Sequence, residues 1–349
     1  MSAFRNFHID ERHNGASLSQ ALKQLLQGKS WSDVKRLIAN RHVQIHGNLC
    51  LEEGRRLKTG DVVKVWDEPL GKLPEATDIP IVYRDEHLVI VEKPAGITTQ
   101  REAREKGSRD QKQATLDELL NVALSKLPRP QPKTKAVEDD GFFIMKKRSN
   151  SSPDSVKSIV KVRPVHRLDR DTSGLMIFAF SPAAELKLTS MFKEHAIARV
   201  YRAVVLGRIE KPTTYASDFI RDRGDGLRGS TTDEKARDRQ HAITHVTPIE
   251  HVCSNGDDYT IIECQLETGR THQIRIHLAE AGHMLCGEKM YTRRLGEKPF
   301  KDESHAPRHV LHSARLELEH PITGASLKYV SDWPPELRRW LDRLKRGER

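Results

Sequence analysis

Cysteine is scarce in this sequence. Cys50, Cys253, Cys264 and Cys286 are its four cysteines, spread over 349 residues, and no two form a C-x-x-C pair. That spacing argues against a disulfide scaffold and a zinc ribbon. The thiols read as ordinary buried or half-buried groups in a reducing compartment. Long apolar runs are also missing, since no stretch approaches the roughly 18 residues of a membrane-spanning helix. No basic amphipathic helix with large apolar anchors stands out to hold the chain on a membrane surface. The first residues, MSAFRNFHIDERHNG, are charged and carry no apolar core of the kind a secretory signal needs. A cytoplasmic protein with no membrane partner is expected. Internal repeats and a regular βαβ rhythm are absent too. His272, His277 and His283 place no pair at i, i+4, which argues against a helical zinc site.

Positive charge is abundant. Lys and Arg number 59 against 49 Asp and Glu, a formal net charge of +10. A surplus of this size favours polyanionic partners such as RNA or DNA. The length fits two domains or one large one and buries enough core to fold without metals or disulfides.

Residues 1–16 read as a tail. Residues 17–68 read as a small α/β domain with two helices, around Leu18–Leu25 and Ser32–Asn40, followed by strands at Val43–Ile45 and Val62–Val65. Ser30 and Ser32 are both candidate caps for the second helix. Nine basic and five acidic residues leave 17–67 at net +4, and Lys35, Arg36 and Arg41 cluster about the second helix and its exit. A linker, 69–78, leads to a larger domain over 79–345. In it Leu88–Val91 reads as a buried strand, 129–160 as a polar, proline-bearing insertion, and Pro182–Ala196 as a helix. Further strands are expected at Leu175–Phe180, Val200–Leu206, Ala242–Val246 and Tyr259–Leu266, and a helix at Thr271–Ala281 capped by Thr271. Strands interspersed with helices in no βαβ order predict an α+β fold with a mixed, largely antiparallel sheet.

Two polar stretches stand out, Val165-His166-Arg167-Leu168-Asp169-Arg170-Asp171-Thr172-Ser173-Gly174 and Thr268-Gly269-Arg270-Thr271-His272-Gln273-Ile274-Arg275. The segment HRLDRDTSG resembles the signature of the pseudouridine synthases of the large-subunit ribosomal RNA type. DEHLVIVEKPAG (85–96), RVYRAVVLG (199–207), TGRTHQIRIHLAEAGHMLCGE (268–288) and HSARLELEHPITG (312–324) resemble further segments of that family in the same order. The block at 17–67 resembles an S4 RNA-binding domain, often found ahead of this catalytic domain. The sequence departs from the family pattern at Arg199, Glu288 and Thr292, where lysine, aspartate and glycine are common.

The resemblance implies isomerisation of uridine to pseudouridine in RNA, without metal or organic cofactor, by a protein expected to be a monomer. It implies that Asp169 is the catalytic aspartate, that Arg275 pairs with it, and that Tyr201 packs on the target base and assists proton loss at C5. Arg167 would fill the space left by the flipped nucleotide. Ribosomal RNA of the large subunit is the family expectation, with transfer RNA the alternative. A carboxylate suits this chemistry because it can attack or stabilise the electron-poor sugar carbon left when a glycosidic bond breaks. Two other readings stand beside it. One is a non-enzymatic RNA-binding or ribosome-assembly protein on the same fold. The other rests on Asp169 and Asp171, which invite comparison with the D-x-D-x-T pattern of haloacid-dehalogenase-type phosphatases. That pattern follows an apolar strand, whereas Lys161–Arg167 is charged. Alone, Tyr201 reads as core packing, Arg275 as a surface ion-pair residue and 17–67 as a structural cap.

Overall fold

The structure is a computed structural model that describes residues 4–45, 48–67, 69–70, 74–101, 114–128 and 161–348. The insertion expected at 129–160 lies outside the described residues.

The N-terminal part contains β1 (Phe4–His8), α1 (Leu18–Leu25), α2 (Trp31–Ala39), β2 (Val43–Ile45), β3 (Asn48–Leu49) and β4 (Val62–Trp66). The strands form an antiparallel sheet in the order β1-β4-β2-β3. Residues 1–16 are therefore more than a tail. Phe4–His8 pairs with β4 from Phe4↔Trp66 to His8↔Val62. As an edge strand it keeps nearly all its side chains exposed, so it carries no hydrophobic alternation for the sequence to reveal. Ser17 caps α1 and Ser30, not Ser32, caps α2, each accepting from the third backbone N–H of its helix. Leu18, Leu22, Val34 and Ile38 then meet Val43, Val63 and Val65 in one small core.

The larger part contains β5 (Ile81–Arg84), β6 (Leu88–Lys93), α3 (Leu116–Ser125), β7 (Arg163–Pro164), β8 (Ser173–Ala179) and α4 (Pro182–Lys193). It continues with β9 (Ala198–Leu206), β10 (Thr213–Ile220), β11 (Gly229–Thr231), β12 (Gln240–Ser254) and β13 (Asp257–Leu266). The last elements are α5 (Gln273–Glu280), β14 (Leu311–Glu319), β15 (Ser326–Val330) and α6 (Pro335–Arg346). Its 11-stranded sheet runs β11-β10-β12-β13-β9-β14-β8-β6-β5, with β15 on β14 and β7 on β8. Among the described pairs, β14 with β8 is parallel and the rest are antiparallel. The fold is α+β, as the strand pattern predicts.

Strand β8 shows why the site sits at the centre. Every residue in it is buried, with Met176 and Phe178 in one core and Leu175 and Ile177 in another. Alternate side chains leave opposite faces, so α3 and α5 cover one face and α4 the other. Gly174 lies where β8 meets β14. Its φ is +113°, and a Cβ there would stand 2.3 Å from the Ser313 carbonyl oxygen. Only glycine tolerates that backbone and that approach. The chain then enters the centre of the sheet directly after the Asp169 loop.

Candidate active site

Asp169 lies in the loop between β7 and β8, and the loop is tied down from below. The Lys93 ammonium, at the end of β6, donates to the carbonyls of Pro94 (3.0 Å), Arg170 (2.8 Å) and Thr172 (2.7 Å). Burial pushes Lys93 down toward about 7, while Asp171 pulls it back. Three carbonyl acceptors match the three N–H bonds of the charged form. Gly96 N–H donates to the Arg170 carbonyl at 2.9 Å, and the Thr99 hydroxyl to that of Leu168 at 3.1 Å. The residues on both sides of Asp169 are thus fixed to the β6 end.

Arg275, buried on α5, donates from Nη1 to Asp169 Oδ2 at 3.1 Å. Its Nε and Nη2 grip both oxygens of Glu288 at 2.7 Å. Glu288 Oε1 in turn accepts backbone N–H groups of Lys289 (2.9 Å) and Met290 (2.8 Å). The guanidinium is thus oriented by one carboxylate and presented to the other. Burial acts to raise the Asp169 carboxyl, but the charges of His272 and Arg275 outweigh it and hold its pKa below the ordinary carboxylate value. Burial pushes His272 down, so Arg275 is the lasting cation at neutral pH. Burial would raise Glu288 as well, and Arg275 overrides it strongly.

Helix α5 starts at Gln273, not Thr271. His272 occupies the capping position in a left-handed conformation, φ +59°, with no side-chain cap. Its ring is engaged elsewhere, since Nδ1 bonds the Tyr291 hydroxyl at 2.7 Å and Nε2 stands 3.8 Å from Asp169 Oδ1. The turn before the helix is closed by Gln273, whose Oε1 accepts from Thr268 Oγ1 (2.7 Å) and Arg270 N (3.0 Å).

Asp169, Arg275, Tyr201 and Arg167 all line one cavity of about 460 Å³. Tyr201 stands on β9 and is buried; burial pushes its hydroxyl pKa up, which keeps it protonated. Arg167 is exposed at the wall. Asp169 is the one acid among the described lining residues, against the cations Arg167, Lys193, Arg199, Arg270 and Arg275. Asp171 lines a separate cavity of about 140 Å³ instead, so the two aspartates of the phosphatase comparison do not share a site.

Lys35, Arg36 and Arg41 lie outside the Asp169 cavity. Lys35 pairs with Glu53 at 3.3 Å and Arg36 with Asp33 at 2.6 Å on the surface of the small domain. Arg41 lines the smaller cavity together with Leu49, Gly96 and Arg170. There Arg170 Nη1 donates to the Leu49 carbonyl at 2.8 Å, joining the residue after Asp169 to β3. His277 and His283 are used structurally, His277 against Thr244 and Ser217 and His283 against the Leu206 carbonyl. Sequence reasoning missed Tyr291 and the bracing role of Glu288. Neither has a signal by spacing, because the contacts are made across the fold.

A family model described as RNA pseudouridylate synthase matches residues 87–280. The chain is 30% identical to the ribosomal large subunit pseudouridine synthase D of Zymomonas mobilis, with 95% of this chain and 94% of that protein covered. It is 28% identical to the protein of the same name from Pseudomonas aeruginosa, over 96% of this chain and 93% of the relative. Among solved structures, human RNA pseudouridylate synthase domain containing 4 superposes with a TM-score of 0.52 at 19% identity, covering 76% of this chain and 92% of that one.

Proposed function

The chain belongs to the RNA pseudouridylate synthase family, and from that premise we propose that Asp169 is the carboxylate on which its isomerisation of uridine turns. The enzyme is an RNA pseudouridine synthase. Its reaction breaks the bond between the ribose C1′ and N1 of uracil, turns the base and joins C1′ to C5. The C5 proton leaves and N1 gains one, so nothing is consumed.

The observation that carries the assignment is the buried ion pair. Asp169 is kept ionised by an arginine that Glu288 holds in place, at the wall of a cavity whose other charged lining residues, among those described, are lysine and arginine. A carboxylate so placed can attack or stabilise the electron-poor sugar carbon. Tyr201 is the platform for the base, and stacking on an aromatic ring is worth about 1–3 kcal/mol per base. It offsets part of the few kcal/mol needed to unstack a paired uridine. Its raised pKa suits a protonated platform better than a phenolate base. Arg167, exposed beside the cavity mouth, fills the gap left in the RNA.

We further propose that the substrate is large-subunit ribosomal RNA, the RNA that the names of its bacterial relatives specify. The domain expected at 17–68, extended by β1, is read as an S4-like RNA-binding domain with Lys35, Arg36 and Arg41 as its contacts. The linker 69–78 joins it to the catalytic domain 79–345. Tritium release from ribosomal RNA labelled at uracil C5 tests the assignment. The wild type should release tritium and Asp169→Asn should not, and normal turnover by that variant would sink it.

A further inference from the structure

The cavity holds a cation that the reaction leaves without a task. Arg199 stands on β9 two residues before Tyr201, so both side chains leave the same face of the strand. It lines the cavity and is only 7% exposed. Its guanidinium lies over the ring of Phe192, 5.2 Å from the centroid. Its Nη1 lies 3.0 Å from where a Cβ on Gly269 would stand, so the turn carrying Gly269 closes over it because no side chain is there.

Among the described residues, no hydrogen bond or ion pair engages this guanidinium, and Nε is buried without a partner. Its neighbours do not supply a counter-charge. His166 accepts the Ile177 N–H at 3.0 Å, and burial, reinforced by Arg199, pushes it down to about 3, so it is neutral. Asp169 is engaged with Arg275. The next arginine on the strand, Arg202, does have a carboxylate, Glu263 at 3.2 Å. A buried charge without a partner is costly, and it persists where a ligand supplies the partner.

We propose that Arg199 is the seat of an RNA backbone phosphate beside the target nucleotide. The proposal rests on the reading of this cavity as the uridine site. A uracil carbonyl would satisfy a hydrogen bond but leave the charge unbalanced. A phosphodiester balances the charge and fits the planar fork of donors. Arg167, Lys193 and Arg270 line the same cavity and add positive charge for the strand.

The test uses the full-length enzyme and protein-free total RNA from cells lacking it. The rate of pseudouridine formation is measured at RNA concentrations below KM, between about 50 and about 200 mM salt. Arg199→Met removes the charge and keeps an apolar contact with Phe192, and Arg199→Lys keeps the charge. For Arg199→Met the expected rate is lower by about tenfold or more at low salt, as for a lost hydrogen bond to a charged group. Its log-rate against log-salt slope should be shallower than the wild type's by about 0.7–0.9. Arg199→Lys should restore the slope. Comparing slopes cancels the effect of salt on RNA folding. The free Arg199→Met protein should melt at the wild-type temperature or above it, because removing an unpaired buried charge does not weaken the fold. A slope equal to the wild type's overturns the proposal whatever the rate, as does a lower melting temperature with full activity. Should Arg199→Met fail to fold, Arg199→Gln carries the same comparison. Absence of product from the wild type would instead refute the reading of the cavity itself.

Discussion

Asp169 and Glu288 are two carboxylates held by one guanidinium, and that sharing sets the behaviour of each. A carboxylate with a depressed folded-state pKa stabilises the protein above the unfolded value of about 4, and loses that contribution only as pH falls through the lower folded value. The Asp169 shift is downward, so it places no acid limb on kcat/KM above about pH 4. Arg275→Met removes the lasting cation and its hydrogen bond and leaves burial opposed by His272 and His309 alone, which raises the carboxyl. The acid limb should then move up toward neutral pH in a pH–rate profile. The same substitution strands Glu288, whose side chain is 1% exposed. Breaking a buried pair costs about 3–5 kcal/mol, which urea unfolding of Arg275→Met should register. An unchanged acid limb would mean that Arg275 does not set the charge of Asp169. A family-level departure, glutamate where aspartate is common, thus falls on the residue that braces the arginine.

At the scale of elements, the site depends on the junction of β8 and β14. There Gly174 pairs with Ser313 in parallel register, and Ser313 faces Tyr201 across the β9 pairing. A Cβ at Gly174 would lie 2.3 Å from the Ser313 carbonyl oxygen, in a left-handed backbone. Gly174→Ala should therefore destabilise by more than about 4 kcal/mol, in the exceptional range for single substitutions, or prevent soluble expression. A stable, active Gly174→Ala enzyme would show that the junction can relax. The loop on the other side of the strand is held by Lys93, a residue visible in the sequence only as part of a motif. Its task, gathering three carbonyls under the Asp169 turn, depends on β6 and β8 lying side by side.

Across the whole molecule, charge is unevenly used. The Asp169 cavity sets five lysines and arginines against one acid among its described lining residues, and residues 17–67 carry net +4 of the +10 surplus. Replacing Lys35, Arg36 and Arg41 together with alanine should flatten the salt dependence of RNA binding by about 0.7–0.9 for each phosphate no longer neutralised. Equilibrium binding to ribosomal RNA at graded salt measures this, and an unchanged slope would assign the small domain a structural role. Arg170 donates to the Leu49 carbonyl, so the small domain also touches the residue next to Asp169. Substituting Arg41 therefore warrants a check of the Asp169 loop as well as of RNA affinity.

The elements with strong local patterns were legible directly. The apolar period of α1, the run Leu88–Val91 and the alternation of β4 report burial through neighbours in sequence. So did the α+β class, because strands without crossover helices must pair largely antiparallel. The two polar stretches were legible as chemistry, and their order carried the family resemblance. Other features depend on contacts between distant residues. The edge strand Phe4–His8 has too few buried residues to show a period. Thr271 has the chemistry of a helix cap, yet His272 takes the position while its ring serves Tyr291. Arg275 and Glu288 meet because the turn after α5 returns the chain, and among the described residues Arg199 is distinguished from the other buried arginines, Arg223 and Arg275, by a carboxylate that is not there. Sequence by itself determined which side chains this protein has for its chemistry. Tertiary structure decided which charges are paired, because pairing is fixed by distance and burial across the fold and not by spacing along the chain.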